Sequence, residues 1–209
     1  MPDAKKLVAY WIRHGETSGN AAGTFRGPLD LPLNKHGLAD AQTLGEYFKA
    51  KPLAALLSSP KKRAQDTARA IADVHDGSLK IHTVPEFAPL NVGYLAGELK
   101  NEHDGTMSYF DKNTHLPIPM GESIDDFRRR TQPKISQVMN FAIKQKNPVA
   151  AAVHSSIIHE VNHMITGDHN QTLVKPGGIL GVYWHPTEGY SLEALFRPTK
   201  GKGDAAYHA

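Results

Sequence analysis

The feature that most constrains the fold is a short apolar run near the start of the chain. Residues 7–12 (Leu-Val-Ala-Tyr-Trp-Ile) are continuously apolar over the length of one strand. They lack the alternation of a strand with one exposed face, which predicts a strand buried on both faces, as in a parallel sheet covered by helices. Residues 53–57 and 148–153 form two further apolar runs of strand length. The chain is therefore predicted to be an α/β protein.

Helix and strand signals alternate along the rest of the chain. Helical spacing of apolar residues and helix-start residues predict four helices, and β-rich stretches predict three more strands. The predicted helices cover residues 38–51, about 60–74, about 124–146 with a kink at Pro133, and about 156–165; the further strands cover 79–84, 181–184 and 191–196. This alternation predicts a three-layer α/β/α arrangement around a mainly parallel central sheet.

Length and composition suit one domain over residues 1–209. The chain has 209 residues, of which 40% are hydrophobic, enough for one core. Residues 85–122 are rich in Pro and Gly without a strong period and are predicted to form a lid or insertion. The polar segment from 198 to 209 is predicted to be a flexible tail.

Composition also narrows the location and partners. There is no cysteine, which excludes disulfides, thiol catalysis and thiolate metal ligands. The sequence shows no apolar run of membrane-spanning length and no signal-peptide pattern, which predicts a cytoplasmic protein with no membrane partner. The net charge is +3, but Lys and Arg are dispersed, so no nucleic-acid partner is indicated. A small anionic substrate fits this charge equally well, and the oligomeric state is left open.

Cationic and imidazole side chains follow three of the predicted strands. Arg13 and His14 follow the first apolar run, Arg63 lies in the first turn of the helix after the second, and His154 follows the run at 148–153. Ligands of open α/β sheets bind beyond the carboxyl ends of the strands. Two guanidinium and two imidazole groups there predict a phosphate site, to which N–H groups of the helix starting near Ser155 would contribute.

The order of several motifs resembles that of the histidine phosphatase superfamily, which includes phosphoglycerate mutases and many small-molecule phosphatases. The resemblance covers roughly residues 7–196 and is far more specific than the Arg-His-Gly triplet alone. The matching elements are Arg13-His14-Gly15-Glu16-Thr17 with Asn20, Arg26-Gly27, Asp30-Leu31-Pro32-Leu33 with Gly37, Ser58-Ser59-Pro60, Arg63-Ala64, Thr67-Ala68, Gly121-Glu122-Ser123 and Val153-His154.

The resemblance implies a phosphoglycerate mutase-like fold and a role for each matching residue. His14 is the implied nucleophile, which takes a phosphoryl group from a small phosphorylated substrate and forms phosphohistidine. Arg13, Arg63 and His154 are implied to hold the equatorial oxygens in the transition state. The implied further phosphate or substrate contacts are Asn20, Arg26 and Ser155. Water then hydrolyses the intermediate, and neither a metal nor another cofactor is expected.

One position departs from the pattern of the superfamily. Many members carry a Glu four residues before the first Gly of a G-x-x-x-G element, and this Glu protonates the leaving group. The element here is Gly93 to Gly97, and the corresponding residue is Pro89, which has no proton to give. Glu86 is the candidate replacement, with Glu98 a weaker one, and both could equally be ordinary surface acids. The alternative is a preference for substrates with good leaving groups, such as phosphohistidine or acyl phosphates.

Three other functions remain open at this point. A cofactor-dependent phosphoglycerate mutase is the nearest, although residues 101–120 lack the Arg-Arg and Pro-rich elements typical of those enzymes. A zinc hydrolase is a remote alternative, because His159, Glu160 and His163 fit H-E-x-x-H, with His169 or Glu193 as a third ligand. The other interpretation puts these three residues on the solvated side of a helix. The last alternative is a phosphate-binding protein without turnover.

Overall fold

The computed structural model describes residues 4–168 and 174–196, and the predicted tail from 198 lies outside these ranges. Six strands and six α-helices occur in this part of the chain. The strands are β1 (Lys6–Arg13), β2 (Ala55–Ser58), β3 (Ile81–Thr83), β4 (Val149–Val153), β5 (Ile179–His185) and β6 (Gly189–Phe196). The helices are α1 (Ser18–Ala21), α2 (Lys35–Phe48), α3 (Lys62–Asp73), α4 (Asp104–Lys112), α5 (Ile124–Ala142) and α6 (Ser155–Thr166).

The six strands form one sheet in the order β3-β2-β4-β1-β5-β6. The pairs β2–β3, β2–β4 and β1–β4 are parallel, whereas β5 runs antiparallel to both of its neighbours. β1 and β4 lie side by side at the centre, with Ala9 opposite Val149 and Arg13 opposite Val153. The residues that follow these two strands therefore emerge next to each other at one edge of the sheet.

Helices cover both faces of the sheet, which confirms the predicted α/β/α class. Residues of β1 alternate between the two sides: Trp11 packs with the core under α5 and α6, whereas Tyr10 and Ile12 pack with the core under α2 and α3. Trp11, at the centre of the sheet, is fully buried and contacts Phe87 edge-to-face. The continuous apolar run thus reflects one strand that supplies two cores.

Two helix starts differ from the predicted ones. Helix α2 begins at Lys35, because the side chain of Asn34 caps it by accepting a hydrogen bond from the backbone N–H of Gly37. Leu38, at which the predicted helix begins, is 52% exposed. Helix α3 begins at Lys62 with Lys61 at the N-cap. Pro60 therefore precedes the helix, and the buried hydroxyl of Ser59 lies outside it, where it accepts the backbone N–H of Lys61.

Helix α5 begins where the sequence predicts. The hydroxyl of Ser123 accepts the backbone N–H of Asp126 and donates to the carboxylate of the same residue. Asp126 is one methylene shorter than the usual Glu of a capping box and bonds the cap hydroxyl instead of the cap backbone. The helix ends at Ala142, before the predicted end near Lys146, and Pro133 lies within it.

The segment predicted as a lid contains α4 and three short 3₁₀ turns, at Pro85–Phe87, Gly93–Leu95 and Lys100–Glu102. It has a small hydrophobic cluster of its own, which includes Phe25 from outside the segment. Its division from the rest of the chain as an inserted lid stays a prediction. Among the described residues, no helix combines the length and hydrophobicity that a membrane span requires.

Arg130 of α5 holds the first part of this segment. Its guanidinium donates to the backbone carbonyls of Glu86, Ala88 and Pro89 at 2.8–3.0 Å. It also forms a bidentate pair with Glu122, whose Oε1 additionally accepts the backbone N–H of Asn91. One side chain therefore fixes the course of residues 86–91 against α5.

We expect Arg130→Met to destabilise the protein more than Arg129→Met. The first change leaves Glu122, whose side chain is only 17% exposed, and three carbonyls without their donor, which should cost about 2–3 kcal/mol of unfolding free energy. Arg129 is the neighbouring residue, its side chain is 74% exposed and it pairs only within the helix, so its loss should cost less than about 0.5 kcal/mol. Urea unfolding of both variants measures the difference, and equal midpoints would contradict it.

Candidate active site

His14 directly follows β1 and lies in a tightly built turn. Its backbone N–H donates to Val153 O of β4 at 3.0 Å, and its side chain is 2% exposed. The next residue, Gly15, packs against Gly37 so closely that a Cβ at Gly15 would lie 2.5 Å from Gly37 O; a Cβ at Gly37 would lie 2.1 Å from Glu16 O. Both positions therefore require glycine, and this packing holds the turn that carries His14 against the start of α2.

The two ring nitrogens of His14 have different partners. Nδ1 lies 2.7 Å from the carbonyl oxygen of Gly15, which can only accept, so Nδ1 carries the proton. Nε2 lies 3.2 Å from Nε of Arg63, which can only donate, so Nε2 keeps its lone pair. The contacts thus select the neutral tautomer with Nε2 as the nucleophilic atom.

Arg63 is positioned by carbonyls as well as by His14. It lies in the first turn of α3, and its side chain is 1% exposed. Nη1 donates to Leu29 O at 2.7 Å, and Nη2 lies 3.4 Å from Gly27 O. Burial, and to a smaller extent the positive charge of Arg26, lower the pKa of Arg63 to about 10. The guanidinium is therefore charged and held rigidly beside the reactive nitrogen of His14.

His154 occupies the corresponding place after β4. Its ring centroid lies 5.1 Å from that of His14, and its side chain is 3% exposed. Nε2 contacts the hydroxyl of Ser59 at 2.7 Å. Among the described residues, Nδ1 of His154 has no hydrogen-bond partner although it is buried, so it is available to a ligand.

Positive charge is concentrated around the two imidazoles. Arg13 is 3% exposed and donates to Val174 O at 3.1 Å, and Arg26 donates to Thr24 O at 2.8 Å. Burial, followed by the charges of Arg63 and Arg13, holds the pKa of His14 well below its usual value of 6.5. The pKa of His154 is lowered in the same way by burial and then by Arg63. A phosphate dianion would offset this excess of positive charge.

These lowered pKa values predict a loss of stability in acid. In the unfolded chain His14 and His154 take up protons as the pH falls through about 6.5, whereas in the folded protein they remain neutral to much lower pH. Because the unfolded state then binds more protons, the unfolding free energy should fall below pH 6.5 by up to about 1.4 kcal/mol per pH unit for each group. Urea unfolding between pH 7.5 and 5 tests this. For the H14Q variant the unfolding free energy should fall less steeply as the pH is lowered. An unchanged pH dependence would contradict the lowered pKa of His14.

Asn20 and Ser155, the remaining predicted contacts, lie on helix starts. The side-chain oxygen of Asn20 accepts hydrogen bonds from the backbone and hydroxyl of Thr17, which caps the short helix α1. Its Nδ2 is buried without a partner among the described residues, as expected of a donor reserved for a ligand. Ser155 is the first residue of α6 and directly follows His154, and no side chain caps this helix.

Glu86, the candidate proton donor, is directed elsewhere. Its carboxylate faces Lys134 of α5 at 3.6 Å, and its side chain is 38% exposed. Its backbone carbonyl is one of those held by Arg130. Glu86 is therefore tied to α5 by both its carboxylate and its carbonyl, and none of its hydrogen bonds or ion pairs in the described structure involves His14, Arg63 or His154.

The H-E-x-x-H pattern lies on α6, and the interpretation that puts all three residues on the solvated side is wrong for Glu160. This side chain is 5% exposed and accepts hydrogen bonds from Arg128 and Gln132 of α5. Within residues 4–168 and 174–196, the one group of three close potential metal ligands is Glu98, Glu102 and His103. His169, proposed above as a third ligand, lies outside the described residues.

Two site residues were missed at the level of sequence. Ser59, named above only as part of a matching motif, is fully buried and contacts His154 through its hydroxyl. Thr67 accepts the backbone N–H of Gly15 at 3.1 Å through its hydroxyl, and thereby ties α3 to the turn after β1. Their positions after a buried strand and one turn beyond Arg63 are the signals that could have revealed them.

The fold and the site together are those of an enzyme that acts on phosphate groups. A family model described as the histidine phosphatase superfamily (branch 1) matches residues 9–176. The chain belongs to this superfamily, as the sequence predicted.

Relatives and solved structures support this assignment. The chain is 32% identical over 163 residues to a metal-independent phosphoserine phosphatase of Arabidopsis thaliana, which covers 74% of this chain and 67% of the relative. It is 30% identical over 140 residues to an adenosylcobalamin/alpha-ribazole phosphatase of Salmonella typhimurium, covering 63% and 66%. A phosphoglycerate mutase of Bacillus anthracis has the same fold, with a TM-score of 0.77 at 20% identity over 93% and 94% of the two chains. The predicted class of enzyme, a phosphatase, is confirmed.

Proposed function

We propose that this protein hydrolyses a small phosphate monoester without a metal ion, through a phosphohistidine on His14. The observation that carries the proposal is the placement of a neutral Nε2 beside the guanidinium of Arg63. The proton on Nδ1 is held by Gly15 O, so Nε2 is unprotonated, and its lone pair can attack once the hydrogen bond from Arg63 has moved to a phosphoryl oxygen. A buried, neutral imidazole surrounded by positive charge is suited to accept a phosphoryl group.

The reaction has two steps. First, the lone pair of Nε2 attacks phosphorus, and the ester P–O bond breaks with its electron pair leaving on the ester oxygen. Arg13, Arg63 and His154 hold the three equatorial oxygens and stabilise their charge in the transition state. A water molecule then attacks phosphorus, and the P–N bond breaks with its pair returning to Nε2. The products are inorganic phosphate and an alcohol or its anion.

The remaining residues have supporting roles in this scheme. The free Nδ2 of Asn20 and the first N–H groups of α6, next to Ser155, bind phosphate oxygens. Arg26 lies close enough to raise the positive potential at Arg63 and His154 and to contact the substrate. The cytoplasmic location and the absence of a nucleic-acid partner stay predictions.

Trapping the phosphoenzyme tests the proposal. Acid-free quenching during turnover of p-nitrophenyl phosphate, followed by peptide mass spectrometry, should find one phosphoryl group on His14. The label should be stable in alkali and lost in acid, and turnover should persist with EDTA present. Phosphate release that stops in EDTA would overturn the proposal and favour the zinc hydrolase, and a label on another residue would overturn the assignment of His14 as the nucleophile. Binding of phosphate analogues without turnover of any ester would favour the binding protein.

A mutase and a phosphatase can be distinguished by whether the phosphoryl group stays on an organic product or is released as inorganic phosphate. With 3-phosphoglycerate and 2,3-bisphosphoglycerate, a mutase forms 2-phosphoglycerate and conserves total organic phosphate. We expect the wild-type protein instead to release inorganic phosphate from its substrates, with no need for the bisphosphate. The readouts are phosphate release and ³¹P NMR of the two phosphoglycerates.

A further inference from the structure

A cavity of about 320 Å³ lies between the loop after Gly27 and the start of the 85–122 segment. Its size is at the small end of the range of ligand pockets, about 300–1,000 Å³. Four of its eight lining residues are apolar, namely Pro28, Pro85, Ala88 and Pro89, and the other four are Lys61, Asn91, Glu122 and Arg130. A larger depression of about 590 Å³ lies beside the C-terminal half of α3 and the start of β3.

The cavity adjoins the phosphate site. Pro28 lies between Gly27 and Leu29, the two residues whose carbonyls hold the guanidinium of Arg63. Lys61, another lining residue, bonds through its backbone N–H to the hydroxyl of Ser59, which in turn contacts His154. A phosphate monoester bound at His14 would therefore place the group beyond its ester oxygen in this cavity.

The carboxyl groups around the cavity are all engaged elsewhere. Both oxygens of Glu122 accept hydrogen bonds from Arg130, and one also accepts from Asn91. Glu86 faces Lys134, and Asp30 accepts the backbone N–H of Lys62 at 2.7 Å. Glu122 is the one carboxylate among the residues that line the cavity, and because Arg130 and Asn91 hold it, it is poorly placed to donate a proton to a leaving group.

The walls also select by shape. Proline rings are rigid and apolar, so the three that line the cavity lose little conformational entropy when a ligand packs on them. The two cationic lining residues already have partners, because the ammonium of Lys61 donates to Pro28 O at 2.6 Å and the guanidinium of Arg130 is shared among Glu122 and three carbonyls. Such a cavity suits a planar apolar ring better than a hydroxylated or charged chain.

We propose that the substrates are aryl phosphates, with the ring seated against the wall of Pro28, Pro85, Ala88 and Pro89. This inference rests on the phosphatase activity proposed above. As His14 attacks, the P–O bond breaks and its electron pair stays on the aryl oxygen, which delocalises the charge into the ring. The leaving group departs as a phenolate and takes its proton from water afterwards, so the cavity needs no acid.

A leaving-group series tests the proposal. We expect wild-type kcat/KM for phenyl and p-nitrophenyl phosphate to exceed that for O-phosphoserine and glycerol phosphate by about 100-fold or more, the usual effect of a general acid that is absent here. A lower KM for naphthyl than for phenyl phosphate is the expected sign of the ring contact. Comparable kcat/KM for alkyl and aryl esters, or equal KM for the two rings, would overturn the proposal.

Two substitutions at one position sharpen the test. Pro89→Glu places an acid in the cavity wall and should raise kcat/KM for O-phosphoserine by about tenfold or more, whereas P89Q, with the same shape but no acidic proton, should not. Equal kcat/KM values for O-phosphoserine in the two variants would argue that a missing proton donor is not the cause of slow alkyl ester hydrolysis. If neither variant folds, the wild-type series decides alone. Failure of the proposed phosphatase itself looks different: no ester, aryl or alkyl, would be hydrolysed, and His14 would carry no phosphoryl group.

Discussion

The H14A variant should lose phosphatase activity by about 10⁴-fold or more, since removal of a covalent nucleophile eliminates the reaction path and not merely one contact. Hydrolysis of p-nitrophenyl phosphate under saturating conditions measures the loss. Folding should be retained, because the backbone N–H of His14 still bonds Val153 O and the glycine packing of Gly15 on Gly37 is untouched.

A matched control separates chemistry from general damage. His82 lies on the edge strand β3 and is exposed, so His82→Ala should keep kcat within about twofold of the wild type. The phosphoenzyme trapped in the wild type should be present in this control and missing in H14A. Residual activity of H14A within about tenfold of the wild type would contradict the nucleophile assignment.

Arg63→Lys should lower kcat/KM by about 10²–10³-fold, although it keeps the positive charge. The guanidinium contacts Nε2 of His14 and Leu29 O at the same time through different nitrogens. A lysine ammonium is a single point that cannot reproduce both contacts or bind two phosphoryl oxygens side by side. The loss should appear mainly in kcat, because the charge that attracts the substrate remains.

Arg69→Lys is the corresponding control on the same helix. The side chain of Arg69 is 64% exposed and faces Asp66 within α3, so kinetics and unfolding should be unchanged within error. If Arg63→Lys retained more than about half of the wild-type kcat/KM, the bidentate role of Arg63 would be excluded. Thermal unfolding of both variants shows whether a loss of activity reflects a loss of fold.

The elements that the sequence predicted best are the strands that are buried along their length. The runs at 7–12 and 148–153 became the two central strands because residues 7–12 and 149–153 all pack into one of two cores. The site followed from the same logic, since Arg13, His14 and His154 come directly after these strands. Arg63, predicted in the first turn of the next helix, lies there and contacts His14.

The errors arose where one residue could serve two purposes. Serine is a residue type that often caps helices, but the hydroxyl of Ser59 contacts His154. The helix itself starts two residues after Pro60. Glu160 has the character of a surface acid, yet it is buried because Arg128 and Gln132 of another helix reach it. Such choices depend on partners distant in sequence, which local patterns do not contain.

The neighbouring positions of β1 and β4 have a consequence for how the protein gains its activity. The pair Ala9–Val149 joins the beginning of the chain to a strand formed much later, and β1 is also flanked by β5, from the last described part of the chain. Proteins dominated by such long-range pairings fold slowly, because a large loop must close before the contacts form. On a ribosome, His14 would emerge long before His154, and the first residues would wait unpaired for their partners. Recovery of activity during refolding should accordingly report a late event, the closing of the central sheet.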